Sequence, residues 1–501
     1  MDPDTHGWVI HPDDAAWGSL LAEYGGEYPD PLRQVFKVVR ESGCQTVVVE
    51  NRYVDRDYRA DHQAFWGAKF QPPSAFARRL HFFSAHLDEE GVLALENSDE
   101  YLGYTVLRPL RFGPVGRTVV APPPGLAGAR LAVVDDEVSL WGARLRVTGV
   151  PFCQQDTEFL TCAHVTAWIC HYVAWRHGLS GRRTTADLVL ASPPIMSERR
   201  VYPSPGMTLK QLQAVFAELG HPALFYGLSR MPRVEGVEDP EPPEAEPGVG
   251  PEPPGLWDTR MISVICRYLN SGFPVLVAGR EHALALVGWY RAEGGIRFVS
   301  CDDQAGPYAT IGSPFKHGKA PWHSIMVPLP PRVLVSAEAA ENRAHLALLG
   351  NGSGADAPPE WRTLAEGLQN RAFTLRTVVR SVGDYKEQLP AQGRGDQAVR
   401  ALRLARLAHF VWVVEAHDKA RLRRGEPSVV AEYVFDATSN DRKPDVLAAT
   451  LPGLTFVFPP EGQRVTSANP VDFWTSFLSL PRTSATLPTT GVGVELESRD
   501  A

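Results

Sequence analysis

The stretch PFCQQDTEFLTCAHVTAWICHYV, Pro151 to Val173, carries the strongest helix signal in the chain. Val165, Trp168, Ile169, Tyr172 and Val173 fall at i, i+3, i+4, i+7 and i+8, the spacing of an amphipathic helix. Thr161 is placed to cap its start and Gly178 to end it. Cys162 then lies in the first turn, where unpaired N–H groups and the helix dipole favour thiolate over thiol. It shares the stripe of Val165 and Ile169 and so points to the packed side. Gln154 and Gln155 precede it closely. An amide there is placed to donate to an oxyanion beside the Cys162 N–H. Only one of two adjacent side chains can face such a cleft.

Downstream, GFPVLVAGREHALALVGWYR (Gly272 to Arg291) reads as an apolar strand, a turn, and a second strand headed by His282. On that strand His282, Leu284 and Leu286 share one face, and Ala283, Ala285 and Val287 the other. IRFVSCDDQAGPY (Ile296 to Tyr308) is a third strand, ending in Asp302 and Asp303. A carboxylate there is placed to accept the second imidazole N–H and fix the tautomer. Nucleophile, base and orienter thus follow in the order Cys, His, Asp, each at the end of an element.

Helices are expected at Lys210 to Leu219 and Trp257 to Leu269. Strands follow at Phe273 to Val277, His282 to Tyr290, Ile296 to Cys301 and His323 to Val327. Helices followed by consecutive strands predict an α+β domain with an antiparallel sheet. Gln155-Asp156 ahead of Cys162-Ala163, Pro274-Val-Leu-Val277, His282-Ala-Leu-Ala-Leu-Val-Gly288 and the following Asp302 resemble the peptidase C39-like family of the papain-like cysteine peptidase superfamily. The resemblance spans roughly residues 150 to 330. It implies a papain-like fold, with the catalytic helix packed on an antiparallel sheet. It also implies Cys162 as nucleophile, His282 as base, Asp302 as orienter and Gln155 in the oxyanion hole. Ala163 stands where many members carry Gly, and Pro232 to Gly255 is an extra insertion.

The simpler alternatives are concrete. A lone cysteine at a helix start is usually a small buried hydrophobe, and a lone histidine a satisfied core residue. Asp302 and Asp303 compete, since either can cap a turn with Gln304 and Gly306. Cys153, Cys162, Cys170, His164, His171 and His177 match no compact zinc spacing, so neither metal nor cofactor is expected. The expected reaction is acyl transfer, foremost hydrolysis of a peptide or isopeptide bond. The same triad serves a transglutaminase or a glutamine deamidase, and a papain-like body without catalysis serves as a scaffold for a protein partner.

The rest of the chain sets the frame. Its 501 residues exceed one ordinary core. The Pro/Glu/Gly tract Pro232 to Gly255 predicts a loop, a candidate autoinhibitory cover, and GNGSGADAPP (Gly350 to Pro359) a domain boundary. The segment after Pro481 is expected to fray. Three regions follow: an accessory domain of mixed strands and helices over 1–149, the catalytic domain over 150–335 with its insertion at 232–255, and an α/β-type accessory domain over 360–480. That last domain combines a helix near Gln397 to Leu407 with a hairpin, Phe410 to Glu415 and Val429 to Phe435, joined by the basic turn Lys419 to Arg424. It is where a protein partner beyond the peptide or protein substrate would bind.

A net charge of -8 argues against a nucleic-acid binder. The start MDPDTHGW is acidic and lacks the basic start and apolar core expected of a signal peptide, and no apolar run reaches membrane-spanning length. Six cysteines are too few for a disulfide scaffold. The expected setting is a cytoplasm. Abundant Arg, Ala, Pro and Gly fit a GC-rich bacterial genome.

Overall fold

The computed structural model describes residues 7–96, 99–193, 206–227, 254–279, 282–292, 295–312, 322, 324–389, 395–424, 426, 428–440, 444–460 and 465–468. For residues 254–260, 465 and 468 it describes the backbone alone. Two compact units result, Met1–Tyr226 with Phe273–Pro330, and Gly227–Gly272 with Pro331–Ala501.

The first unit is built on two sheets. Its strands are β1 Trp8–Ile10, β2 Thr46–Tyr53, β3 Ala77–Phe83, β4 Tyr101–Leu107, β5 Val115–Val120, β6 Arg130–Leu131, β7 Val134–Leu140, β8 Ala143–Phe152, β9 Ala223–Gly227, β10 Val275–Ala278, β11 Ala283–Ala292, β12 Gly295–Asp302, β13 Gly306–Ile311 and β14 Ser324–Pro328. One sheet runs β1-β2-β3-β4-β5-β8-β7. The other runs β13-β12-β11-β10-β14-β9, with β6 added beside β11. The neighbouring strands pair antiparallel, as β11 does with both β10 and β12. Sequence period dictates exposure: β7 alternates buried Val134, Asp136, Val138 and Leu140 with exposed neighbours, whereas Val47, Val48 and Val49 in β2 are all buried.

The helices of this unit are α1 Asp14–Tyr24, α2 Asp30–Glu41, α3 Arg56–Ala64, α4 Glu89–Leu93, α5 Cys162–Arg176, α6 Thr185–Ala191 and α7 Leu209–Glu218. The helix expected from Val165 to Val173 is α5, and Gly178 ends it with a φ of +73°. It is not amphipathic in its setting. Every residue from Ala163 to Ala174 is buried, because α5 packs against β7 and β8 and against β10 and β11. Its polar groups are partly met inside: Tyr172 donates to Asp136 (2.9 Å) and Thr166 to the Cys162 carbonyl (2.8 Å).

The boundary expected near residue 149 is absent. Strand β8 runs through it, and β6 joins the sheet of β11. Tyr308 Oη donates to Val120 O at 2.7 Å and accepts from Val150 N at 2.9 Å. One apolar core holds Val47 and Leu80 together with Trp168, Ala285 and Met326. The pattern of short strands shows each element but not which sheets share a core.

The second unit contains α8 Pro254–Asn270, α9 Ala337–Ser353, α10 Pro359–Gln369, α11 Val382–Gln388, α12 Asp396–Leu404 and α13 Lys419–Arg423. Its sheet is β15 Phe373–Ser381, β16 Phe410–Asp418, β17 Val429–Asp436, β18 Val446–Leu451, β19 Leu454–Val457 and β20 Val465–Ala468, in that order. Helix α8, expected in the catalytic domain, belongs here; Arg267 forks onto Glu341 of α9 at 2.8 and 2.6 Å. The boundary expected at Gly350 to Pro359 is helix and tight turn instead. A Cβ on Gly352 would lie 2.6 Å from Trp361 O, so this glycine serves close approach of α9 to α10, not a linker. The basic turn is the single-turn α13, capped by Asp418. Residues 232–253 of the Pro/Glu/Gly tract and those after 481 lie outside the described residues. No described helix is long and apolar enough to cross a membrane.

Candidate active site

Cys162 opens α5 and is partly exposed. Thr161 N–H and Oγ1 both lie within hydrogen-bonding range of His164 Nδ1 (3.3 and 2.8 Å), which closes the helix start. That cap needs a neutral ring, since an imidazolium Nδ1 is itself a donor. Burial holds His164 down to about 4. The unfolded chain takes up a proton below about 6.5 that the folded chain refuses. Stability is therefore lost as pH falls from 6.5 to 4, by up to about 3 kcal/mol. In urea unfolding, His164→Gln should flatten that decline. A decline as steep as the parent's would remove His164 as its source.

His282 lies immediately before β11, and Asp302 ends β12. Expectation put His282 on the face of Leu284 and Leu286. In the structure Ala283, Ala285 and Val287 are the residues that join the core of α5, and His282, outside the strand, is free of its alternation. Its Nε2 stands 3.1 Å from Asp302 Oδ1 and 3.9 Å from Asp303 Oδ1. Asp302 Oδ1 also accepts the Gln304 N–H at 2.9 Å.

Burial opposes the imidazolium, yet the hydrogen bonds of Asp302 and Cys162 and both carboxylate charges outweigh it and raise His282 to about 10. Burial likewise opposes Asp302 ionisation, but His282 and the Gln304 and Ala305 backbone hold its carboxyl below the usual range. The Cys162 thiol thus contributes to the rise. It is not aligned for a well-formed hydrogen bond, since buried Nδ1 has no partner of good geometry. The indole of Trp322 covers the ring, centroids 6.1 Å apart.

The two glutamines part company. Gln154 is 3% exposed; its Oε1 accepts Val115 N at 3.3 Å and its Nε2 donates to Tyr28 O at 3.1 Å. Both ends of that amide are spent inside the fold. Gln155 is half-buried, with no such side-chain bonds among the described residues. A short loop then returns the chain to Cys162. Asp156 N–H donates to Leu160 O at 3.0 Å, and Asp156 Oδ1 accepts the N–H groups of Glu158, Phe159 and Leu160. The Asp156–Leu160 bond closes the neck of this loop, inside Gln155 and Thr161 in the chain. Phe159 stacks on Phe65 at 4.6 Å and anchors the loop tip.

Two further residues hold the loop. Arg108, 5% exposed, donates to the carbonyls of Gly113, Val115 (3.2 Å) and Gln154 (2.6 Å). Gly113 has φ +68°, and a Cβ there would lie 1.9 Å from Gln155 O. Sequence reasoning missed both. Asp156 had a readable signal, an Asx-type turn residue ahead of Thr157 and Glu158; Arg108 had none.

Asp303 is the odd member. It is 2% exposed, neither oxygen has a hydrogen-bond partner, and burial raises its carboxyl to about 7. His282, Asp302 and Asp303 offer ligand atoms within 4.8 Å of one another. The Cys and His residues between Cys153 and His177 form no such group among the described residues. The cleft lined by Tyr24, Arg52, Phe76, Arg78 and Arg111 includes neither Cys162 nor His282. Comparison of the chain with protein-family models and with curated proteins returned no match.

Proposed function

We propose that the first unit is a papain-like thiol enzyme of the peptidase C39-like kind, acting by acyl transfer and foremost hydrolysing a peptide or isopeptide bond. The observation that carries the reading is His282, its Nε2 held by Asp302 at 3.1 Å and its basicity raised by Asp302 and then by the Cys162 thiol. With Nε2 so engaged, Nδ1 is the nitrogen left to exchange a proton with sulfur. In the resting pair the thiol proton already sits on Nδ1, leaving the ring cationic and sulfur a thiolate, and that sulfur attacks the carbonyl carbon. The Gln155 amide and the Cys162 N–H stabilise the oxyanion. Collapse breaks the C–N bond, and the departing amine takes the proton from Nδ1. Water then gives a proton to Nδ1, its oxygen attacks the thioester, and the thiolate leaves beside the cationic ring. An amine in place of water makes the same site a transglutaminase; a glutamine side chain as substrate with water makes it a deamidase.

A reducing, cytoplasmic setting suits this chemistry, and all six cysteines are free thiols. Four of them are buried, which leaves Cys44 as the internal control; burial pushes its thiol up to about 12. Iodoacetamide at pH 6.5, followed by peptide mass mapping, should label Cys162 at least tenfold faster than Cys44. Equal, slow labelling of the two would favour a non-catalytic scaffold.

A further inference from the structure

We propose that His282 Nε2, Asp302 and Asp303 form a binding site for one divalent transition-metal cation, of the Mn2+ or Zn2+ class, and that its occupation switches the Cys162 site off. The argument starts from Asp303. A carboxylate removed from water without a partner is costly, and native folds seldom leave both oxygens unmet. Here both oxygens are buried without a hydrogen-bond partner, and Oδ1 has only an ion-pair contact to Nε2 at 3.9 Å. The orienting role is already filled by Asp302 at 3.1 Å, so a second carboxylate is surplus to a triad.

Cation geometry accounts for the surplus. Bonds of about 2.1 Å separate neighbouring ligand atoms by about 3.4 Å in a tetrahedral site. The distances from Nε2, 3.1 and 3.9 Å, bracket that value, and the three donors lie within 4.8 Å. One imidazole with two carboxylates is a nitrogen–oxygen set that suits Zn2+ or Mn2+ rather than a soft, thiolate-preferring ion. His282 and Asp302 are partly exposed, which supplies a route in and leaves positions for water.

The regulatory half rests on the acyl-transfer reading; the binding half does not. Nε2 binds a cation through its lone pair, which puts the ring's proton on Nδ1. In the metal-free pair Nδ1 holds the proton given up by the thiol, so a loaded site, whose Nδ1 already carries the ring's own proton, leaves sulfur protonated. Metal loss restores the Nε2–Asp302 bond and frees Nδ1.

The experiment uses the full chain, stripped with chelator and titrated with Mn2+ in a calorimeter. One equivalent is expected in the parent and in Cys162→Ala, with affinity at least tenfold weaker in Asp303→Asn and partly restored in Asp303→Glu. Thermal melting in chelator checks that each variant is folded. Co2+ as a spectroscopic substitute should show no thiolate charge-transfer band. Absence of binding in the parent, or undiminished binding in folded Asp303→Asn, overturns the site. Mn2+ should slow iodoacetamide labelling of Cys162 at least tenfold in the parent; binding without slowing overturns the switch alone. Should Cys162 show no preferential labelling in metal-free protein, the acyl-transfer reading fails while Mn2+ binding still decides the site.

Discussion

His282→Ala slows acylation of Cys162 by p-nitrophenyl acetate by about 10³-fold, equivalent to about 4 kcal/mol of barrier. The effect has a pH signature. Asp302 and the thiol keep the ring cationic to about pH 10, so its charge is present throughout the acidic and neutral range. A thiol with no cation beside it is thiolate in under about 1% of molecules at pH 6. Alkylation by iodoacetamide should therefore fall most at acidic pH, and the gap between parent and variant should narrow as pH rises. Asp302→Asn is the finer probe. It leaves the ring in place but removes the charge that holds it protonated, so the acidic advantage shrinks while the rate at pH 9 stays near the parent's. Should His282→Ala alkylate at the parent rate across the whole range, the ring does not serve the sulfur and the thiol-enzyme reading is lost.

The parts of this site that were legible in the sequence are those held by local rules. Helix period, the Thr161 cap and Gly178 located α5 and put Cys162 in its first turn; strand period located β10, β11 and β12 to within a few residues. What escaped depends on partners distant in the chain. Nothing in VTAWICHYV shows that both sides of α5 are covered, because the second cover comes from β7 and β8. The stripe looked one-sided because His171, off it, is polar, whereas its ring finds a hydrogen bond inside, accepting the Arg183 N–H at 3.1 Å. Glycine misled for a related reason. Gly350 and Gly352 in a run of small residues suggest a linker, but Gly352 is small because another helix presses on it.

Arg108→Met destabilises the first unit by about 3–5 kcal/mol, the cost of orphaning buried polar groups that shared one cation. The methionine fills much of the volume, so the loss is polar rather than steric. The buried carbonyls of Gly113 and Gln154 lose that donor at once, and Val115 O is left with the Gln154 N–H alone. The same guanidinium favours ionised Asp61 and Asp156, both buried and both raised mainly by burial. Without it each carboxyl is raised further; Asp61 already stands at about 8 in the parent, so its share of the added loss opens as pH rises above 8.

The functional consequence follows from the loop. Asp156 in its ionised form accepts three N–H groups, and Arg108 pins the carbonyl of Gln154 just ahead of Gln155. Loosening that neck moves the Gln155 amide away from the place where an oxyanion would form, without touching Cys162 or His282. Acylation should therefore fall by about 10²-fold at pH 8, comparable to losing one oxyanion donor. Iodoacetamide alkylation, which builds no oxyanion, should stay within threefold of the parent in protein that urea titration shows to be folded. A parallel fall in both reactions would mean that Arg108 supports the thiol and ring directly, and Gln155 would then have no claim to the oxyanion.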